Sequence, residues 1–260
     1  MPPIVKSILK ISLLITLIIS VVSYSSAQNR KLKWDISVSY GVALPVGGFE
    51  KIAPAKNLVA IPSGIAGQFN YYLYGIAKDG NSYATNGQFG SFEIKYHIGK
   101  HWLLATSLHH TRNSVNAQPF YDYINAIQIA KVTFISNNDY NVTAFSVGFG
   151  YNIYHKNFRL TLTPVIGQAS ISSPDYVFEW YTYPFIFDVT KLSNSLLLGL
   201  HGNIGYKFGS RFYTSLKVDF DSANFDYTVK RRSPGTTFLF IDDRITYRIF
   251  KLGLTFGMRL

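Results

Sequence analysis

The chain of 260 residues contains no cysteine. Disulfide bonds, thiolate metal ligands, a cysteine nucleophile and a lipid-modified N-terminal cysteine are therefore excluded. Charged residues are also scarce, at 15% of the chain, whereas aromatic residues reach 16%, with 19 Tyr and 20 Phe. This is little charge and much aromatic content for a soluble surface.

Long apolar runs are missing as well, except near the N-terminus. Two lysines precede an apolar run from Ile11 to Val22, and the small residues Ser25-Ser26-Ala27 follow it. This order of basic, apolar and small residues is typical of a secretory signal peptide. The run is too short for a membrane-spanning helix, although a retained anchor is the alternative. We therefore predict a cleaved signal peptide at residues 1–27 and a single domain at residues 28–260.

The formal net charge is +11, but the basic residues are scattered along the chain rather than clustered. Nucleic acid is therefore a poor candidate partner for this exported chain, and the phosphates of anionic lipid or lipopolysaccharide are a better match. After the signal peptide, no segment contains 18 consecutive apolar residues, so no transmembrane helix is predicted. If the mature chain enters a membrane, it must do so as a closed sheet.

What the chain does contain is alternation with a period of two residues, which predicts strands with two chemically different faces. The last segment shows it best. One face carries Phe250, Leu252, Leu254, Phe256, Met258 and Leu260, and the other carries Lys251, Gly253, Thr255, Gly257 and Arg259. Eight segments follow the pattern: Trp34–Leu44, Gln88–Ile98, Trp102–His110, Asn141–Tyr154, Phe158–Gly167, Leu196–Phe208, Phe212–Asp221 and Arg244–Leu260.

The connections between these segments alternate between short and long. Gly99-Lys100, His155–Asn157 and Gly209-Ser210 have the residues of tight hairpin turns. The other connections are long: roughly residues 45–87, 111–140, 168–195 and 222–243. This pattern predicts an all-β fold, an eight-stranded antiparallel up-and-down transmembrane β-barrel with short periplasmic turns and long extracellular loops.

A soluble barrel of the lipocalin kind is the alternative, and the chemistry of the two faces argues against it. A soluble barrel places Lys and Glu on a wide polar face, whereas the polar face here is mainly Gly, Ala, Ser, Thr and Asn. Small residues suit the narrow interior of an eight-stranded barrel. Aromatic residues also gather beside the short turns, as in a membrane-interface girdle. These are Trp34, Trp102, Tyr154, Phe158, Phe208 and Phe212.

A family resemblance rests on the run WDISVSYGVALPVGGF at residues 34–49, the alternating body, and the closing GLTFGMRL at residues 253–260. Together these features resemble small outer-membrane β-barrel proteins of the Bacteroidetes type, within the wider OmpA/OmpX-like, porin-family group of eight-stranded barrels. The resemblance implies an outer-membrane protein of a Gram-negative bacterium. Terminal strands of this group usually end in an aromatic residue, whereas this chain ends in Leu260, with Phe256 four positions earlier.

Charged residues on the polar faces predict a lumenal network. Its expected members are Asp35, Glu93, Lys95, Arg159, Lys207, Lys217, Asp219, Lys251 and Arg259. The main expectation is a web of ion pairs that compensates buried charge, and the alternative is a narrow ion path lined by basic groups. As a specific hypothesis, Glu93 and Lys95 pair with residues on neighbouring strands such as Lys251 or Arg159.

Catalytic and metal sites are not predicted. Ser107 and His109 share one strand face, and with Glu93 they can be imagined as a triad, but the spacing is generic and nothing supplies an oxyanion site. His109 and His110 point to opposite faces, so they cannot chelate a metal together. His110 is expected near the outer headgroups. We expect no enzymatic activity and no cofactor.

The predicted outer loops are unusually apolar. Aromatic residues crowd the third loop, which makes it a candidate partner-binding loop. They are Tyr176, Phe178, Trp180, Tyr181, Tyr183, Phe185 and Phe187. Alternatively, the loops fold over one another or continue the strands as paired hairpins. Lys230-Arg231-Arg232 in the fourth loop is a candidate lipopolysaccharide contact, or a solvated charge run.

These features predict a non-enzymatic outer-membrane barrel that acts as a structural or binding component through its outer loops, for example as a subunit of a secretion or uptake complex. A small pore with a basic lumen is one alternative, and an outer-membrane lipid-modifying enzyme is another.

Overall fold

Antiparallel strands make up most of the computed structural model. It describes residues 33–50, 58–62, 69–73, 82–116, 118–119, 122, 131–133, 139–172, 176–180, 183–189, 193–208, 211–232 and 239–260. Their strands are β1 (Trp34–Pro45), β2 (Leu58–Pro62), β3 (Phe69–Leu73), β4 (Ala84–His97), β5 (Trp102–Val115), β6 (Lys131–Thr133), β7 (Tyr140–His155), β8 (Phe158–Ser172), β9 (Tyr176–Trp180), β10 (Tyr183–Val189), β11 (Ser193–Phe208), β12 (Phe212–Arg232) and β13 (Leu239–Arg259). The predicted signal peptide lies outside the described residues.

Eight of these strands close into a barrel in the order β1-β4-β5-β7-β8-β11-β12-β13, and β13 returns to β1. Each barrel strand contains one of the eight alternating segments, so the predicted eight-stranded antiparallel barrel is confirmed. Among the described residues, no helix has both the length and the apolar character needed to cross a membrane.

The alternation determines which side chains fill the barrel. On β13, Lys251 and Thr255 are buried inside, whereas Leu252 and Leu254 are exposed outside. Neighbouring strands are in register, so inward residues of one strand lie beside inward residues of the next, as Asp219 lies opposite Lys251. Polar residues therefore face the lumen, and apolar residues cover the outside.

The pairing of β1 with β13 closes the barrel. Gly41 and Gly253 are direct partners in this ladder, and beside them Ser39 and Thr255 share a side-chain hydrogen bond of 2.8 Å. When paired residues are followed from strand to strand once around the barrel, the path returns to β1 about ten residues from the residue where it began. This stagger corresponds to strands tilted by about 40° from the barrel axis. A barrel of this size has an interior that side chains can fill.

Short turns gather at one end of the barrel. Lys156 and Asn157 form the loop between β7 and β8, and Lys156 has a positive φ of 51°, which suits a two-residue hairpin turn. The turn after β4 is closed by a bond from the Ile98 N–H to the Trp102 carbonyl at 3.0 Å. Trp34 and Leu260 exchange backbone hydrogen bonds at this same end.

At the other end, the strands extend beyond the predicted segments. β12 and β13 remain paired as far as Arg231 and Leu239. The predicted segment on β12 ends at Asp221, and the chemistry of the two faces inverts there. Beyond this point Ala223 and Phe225 face inward, while the outward positions become polar. The strand continues, but the apolar side has moved from outside to inside.

Three predicted loops contain strands of their own. The β9–β10 hairpin lies within the third loop and joins the outer part of β12 through β10. β6, from the second loop, pairs with β9. The first loop contains the separate β2–β3 hairpin. The described segments of the second and third loops therefore continue the barrel sheet, whereas the hairpin of the first loop forms a sheet of its own.

Replacing Gly253 by Ala should destabilise the barrel. A Cβ at Gly253 would lie 2.5 Å from the carbonyl oxygen of Tyr40 across the closing ladder, so the backbones would have to separate. We expect a loss of about 1–3 kcal/mol, measured by thermal or urea unfolding in detergent. Gly90→Ala is the matched control, because a Cβ at Gly90 meets no atom within 4 Å. Equal stability of the two variants would contradict this account of the closure.

Candidate functional site

The outside of the barrel presents a continuous apolar surface. Aromatic residues crowd it beside the short turns, where Trp102 packs against Phe149 and Tyr151, and Phe158 packs against Tyr206. Further toward the loops, the outer surface becomes polar. There His110 hydrogen-bonds Thr143, Arg112 pairs with Asp139, and Arg244 pairs with Asp226.

Inside the barrel, the lower cluster lies at the short-turn end around Asp35. Arg159 donates to its Oδ2 at 2.5 Å, and Arg259 donates from Nε to its Oδ1 at 2.9 Å. The His97 ring lies 2.9 Å from Oδ2, and its other nitrogen is 3.4 Å from the Asn152 amide. Asp35 is fully buried, so these partners compensate a carboxylate that water does not reach.

The middle cluster fills the centre of the lumen. It contains three carboxylates and three lysines, each at most 1% exposed: Glu93, Asp219, Asp221, Lys95, Lys217 and Lys251. Lys95 lies 2.7 Å from Glu93, and Lys251 lies 2.5 Å from Asp221. Lys217 bridges Asp219 at 3.4 Å and Glu93 at 3.8 Å. The buried charges are therefore compensated within the cluster.

These contacts correct the pairing predicted for Glu93. Its partners are Lys95 on its own strand and Lys217 from the far side of the lumen, not Lys251 or Arg159. Arg159 instead pairs with Asp35, and Lys251 pairs with the two aspartates of β12. The partners depend on the stagger of the strands around the barrel, which the alternation alone does not report.

Lys207 is a second correction. It belongs to the inward-facing series of β11, but it lies at the end of the strand, where solvent reaches the side chain. The prediction that it joins the buried lumenal network is therefore wrong. The other predicted members lie in the lower or the middle cluster.

Above the middle cluster the lumen contains buried aromatic side chains. Phe49, from the turn after β1, is fully buried and packs against Tyr140 and Tyr247, with ring centroids 5.2 and 5.1 Å apart. Phe225 packs against Tyr247, whose hydroxyl lies 3.1 Å from the Thr111 hydroxyl. We call this group the aromatic cap.

The aromatic cap does not follow from the alternation, because Phe49 lies in a predicted loop. The available signal was the inward series Ile245, Tyr247 and Ile249 on β13, which is apolar where the rest of that face is polar. An apolar stretch on a lumenal face indicates a second core inside the barrel.

The residues considered for catalysis do not form a triad. The Ser107 hydroxyl shares a 2.7 Å hydrogen bond with the Ser146 hydroxyl, and His109 approaches Asp221 at 3.3 Å. Glu93 contacts lysines. Within the described part of the chain, no group of three His, Asp or Glu side chains is arranged to hold a metal ion.

The candidate loop residues are placed only through their backbone. Six of the seven aromatic residues lie on β9 and β10, and Tyr181 lies outside the described residues. Lys230, Arg231 and Arg232 lie at the end of β12, where they pair with β10. The candidate partner loop and the candidate lipopolysaccharide contact are therefore neighbours in one sheet.

Replacing Glu93 by Gln should destabilise the protein, because Lys95 and Lys217 would lose a carboxylate partner inside the lumen. Breaking a buried pair typically costs about 3–5 kcal/mol, which should lower the midpoint of thermal unfolding in detergent. Asp226→Asn is the control, because its pair with Arg244 is on the exposed surface and contributes little. An unchanged midpoint for Glu93→Gln would count against charge compensation in the middle cluster.

No protein-family model matches the chain, and no curated protein matches it either. Several solved structures are similar in fold. Neisserial surface protein A has a TM-score of 0.42 and 8% identity, over 87% of this chain and 97% of that one. The outer membrane protein OprG from Pseudomonas aeruginosa has a TM-score of 0.43 and 8% identity, over 86% of this chain and 96% of that one. A major outer membrane protein from Thermus thermophilus has a TM-score of 0.47 and 12% identity, over 87% of this chain and 99% of that one. These likenesses concern the fold alone.

Proposed function

We propose that the protein is an integral outer-membrane β-barrel without catalytic activity, closed inside, which acts as a structural or binding component through its outer loops. One observation carries the proposal: toward the short turns, all eight barrel strands direct apolar side chains outward and enclose the charged side chains of the lower and middle clusters. This is the reverse of a soluble barrel. A surface with so large a continuous apolar area belongs in contact with lipid.

The height of the apolar surface supports insertion in a bilayer. Outward apolar residues run from Phe250 to Leu260 on β13 and from Phe158 to Ile166 on β8. With a rise of about 3.3 Å per residue and a tilt of about 40°, such stretches cover about 20–25 Å. The apolar band of an outer-membrane barrel is about 25 Å tall. Aromatic residues at the short-turn edge fit the membrane interface.

The filled lumen favours a closed barrel over the alternative of a pore. The lower cluster, the middle cluster and the aromatic cap lie at successive levels between the short turns and the loops. An ion that crossed the barrel would have to separate lysines from carboxylates and displace rings that contact one another. The charged lumenal residues therefore serve in our proposal as internal packing and not as an ion path.

The outer sheet supports a binding role for the loops. β10 and β9 extend the sheet outward from β12, and β6 pairs with β9 at its edge. This extension carries the aromatic-rich sequence from Tyr176 to Phe187. A rigid sheet presents such residues at lower entropic cost than a flexible loop does. We propose that this sheet contacts a partner protein in an outer-membrane complex, while Lys230–Arg232 contact lipopolysaccharide phosphates.

The purified barrel should show no steady ion conductance in planar bilayers, because its lumen is filled. Insertion is checked independently by co-flotation with liposomes. A reproducible conductance that falls when Lys251 is replaced by Gln would instead support the pore with a basic lumen. Absence of co-flotation would contradict the membrane proposal itself.

Replacing Tyr183, Phe185 and Phe187 by Ser should remove a protein partner without removing the barrel from the membrane. The measurement is a gentle detergent pull-down from native outer membranes, compared with the unaltered chain by quantitative mass spectrometry. Lys230→Gln with Arg231→Gln and Arg232→Gln is the matched control, and it should retain the protein but carry less lipopolysaccharide. If the same proteins co-purify with the unaltered chain, the aromatic variant and the control variant, a binding role for the aromatic residues would be contradicted.

A further inference from the structure

A basic pocket opens at the short-turn end of the barrel, below the lower cluster. Its cavity volume is about 50 Å³. Five cationic residues line it, and they come from different strands or turns: Lys156, Arg159, Lys207, Arg211 and Arg259. No carboxylate is among the described residues that line this pocket. We call it the mouth pocket.

Backbone hydrogen bonds hold the walls of the mouth pocket together. The N–H of Lys207 donates to the carbonyl of Asn157 at 3.0 Å, which ties β11 to the β7–β8 turn. The N–H of Arg259 donates to the carbonyl of Arg211 at 2.7 Å, which ties β13 to the start of β12. The cations are therefore attached to a framework that is formed before any ligand arrives.

Tyr213 lies at the inner wall of the pocket and is packed against Arg159 and Gly257. The Arg159 guanidinium lies over its ring, 4.6 Å from the centroid. On β13, a Cβ at Gly257 would lie 2.2 Å from a ring carbon of Tyr213, so the ring occupies the space that a side chain would fill. Among the described residues the Tyr213 hydroxyl has no hydrogen-bond partner, although the residue is only 6% exposed.

A buried hydroxyl without a partner costs free energy, and its presence beside several cations indicates a ligand that accepts hydrogen bonds. The charges of the site are not balanced. Asp35 pairs with both Arg159 and Arg259, which leaves one positive charge in excess. Lys207 and Arg211 are exposed and add to it.

We propose that the mouth pocket binds a phosphate group, held by Lys207, Arg211 and the Tyr213 hydroxyl, with Arg159 and Arg259 behind them. Charged donors around one anion are the arrangement that phosphate oxygens prefer. Phe158 and Phe212 also line the pocket and are exposed on the outer surface. The phosphate comes from an anionic phospholipid headgroup in the leaflet beside the short turns, or from free phosphate in the adjoining aqueous space. The lipid source rests on the proposed membrane location.

The test uses the full chain folded in an uncharged detergent. Binding of short-chain phosphatidylglycerol is measured by native mass spectrometry, and binding of inorganic phosphate by titration calorimetry. Lys207→Gln with Arg211→Gln should weaken binding about tenfold or more, because two charged donors are lost. Tyr213→Phe should weaken it severalfold while leaving the ring and the fold unchanged. Lys100→Gln is the matched control, since Lys100 is an exposed lysine in another short turn.

The two probes separate the sources of the phosphate. Phosphatidylglycerol bound far more tightly than phosphate assigns the site to lipid headgroups, and comparable affinities assign it to free phosphate. The site would be overturned if neither probe binds. It would also be overturned if Lys100→Gln weakens binding as much as Lys207→Gln with Arg211→Gln does. Co-flotation with liposomes is scored separately. A chain that inserts but does not bind contradicts the phosphate site alone, whereas a chain that does not insert contradicts the proposed membrane location.

Discussion

The hydrogen-bonded ladder between β1 and β13 is the constraint on which the rest of the structure depends. Because this ladder joins the first barrel strand to the last, each of the eight barrel strands is paired with a neighbour on both sides. In an apolar medium each unpaired backbone group costs several kcal/mol, so an open sheet would not be stable there. The close approach of Gly41 and Gly253 allows this ladder to form. Together with the other seven ladders, it sets the stagger of the strands and therefore the width of the lumen.

A lumen of that width must be filled, and the chain fills it in two different ways. In the lower and middle parts, charges compensate one another, as Asp35 does with two arginines and Glu93 does with two lysines. Toward the loops, aromatic rings fill the same space through Phe49 and Tyr247. The filling changes from charged to aromatic at the level where the outer surface changes from apolar to polar. Where the exterior turns polar, the interior turns apolar, as in an ordinary soluble sheet that packs around a core.

The sequence predicts much of this fold because a period of two residues assigns each side chain to a face. That is why the eight barrel segments and the buried positions of Lys251 and Asp219 followed from the pattern. The partner of each lumenal charge did not follow, because it depends on the stagger of about ten residues around the closed barrel. Lys217 on β12 reaches Glu93 on β4 for that reason, whereas Lys95 is the neighbour of Glu93 two residues along the same strand face. The aromatic cap was hidden for another reason, since Phe49 lies outside every alternating segment.

The two ends of the barrel therefore have different chemistry. The loop end carries the aromatic cap, and an outer sheet extends beyond it. The short-turn end is basic, with Tyr213 and Arg159 at its inner wall. Between them lies the middle cluster, whose lysines and carboxylates pair with one another. In the proposed closed barrel, the two ends are therefore separate places for a ligand. The excess of cationic side chains at the short-turn end favours an anion there.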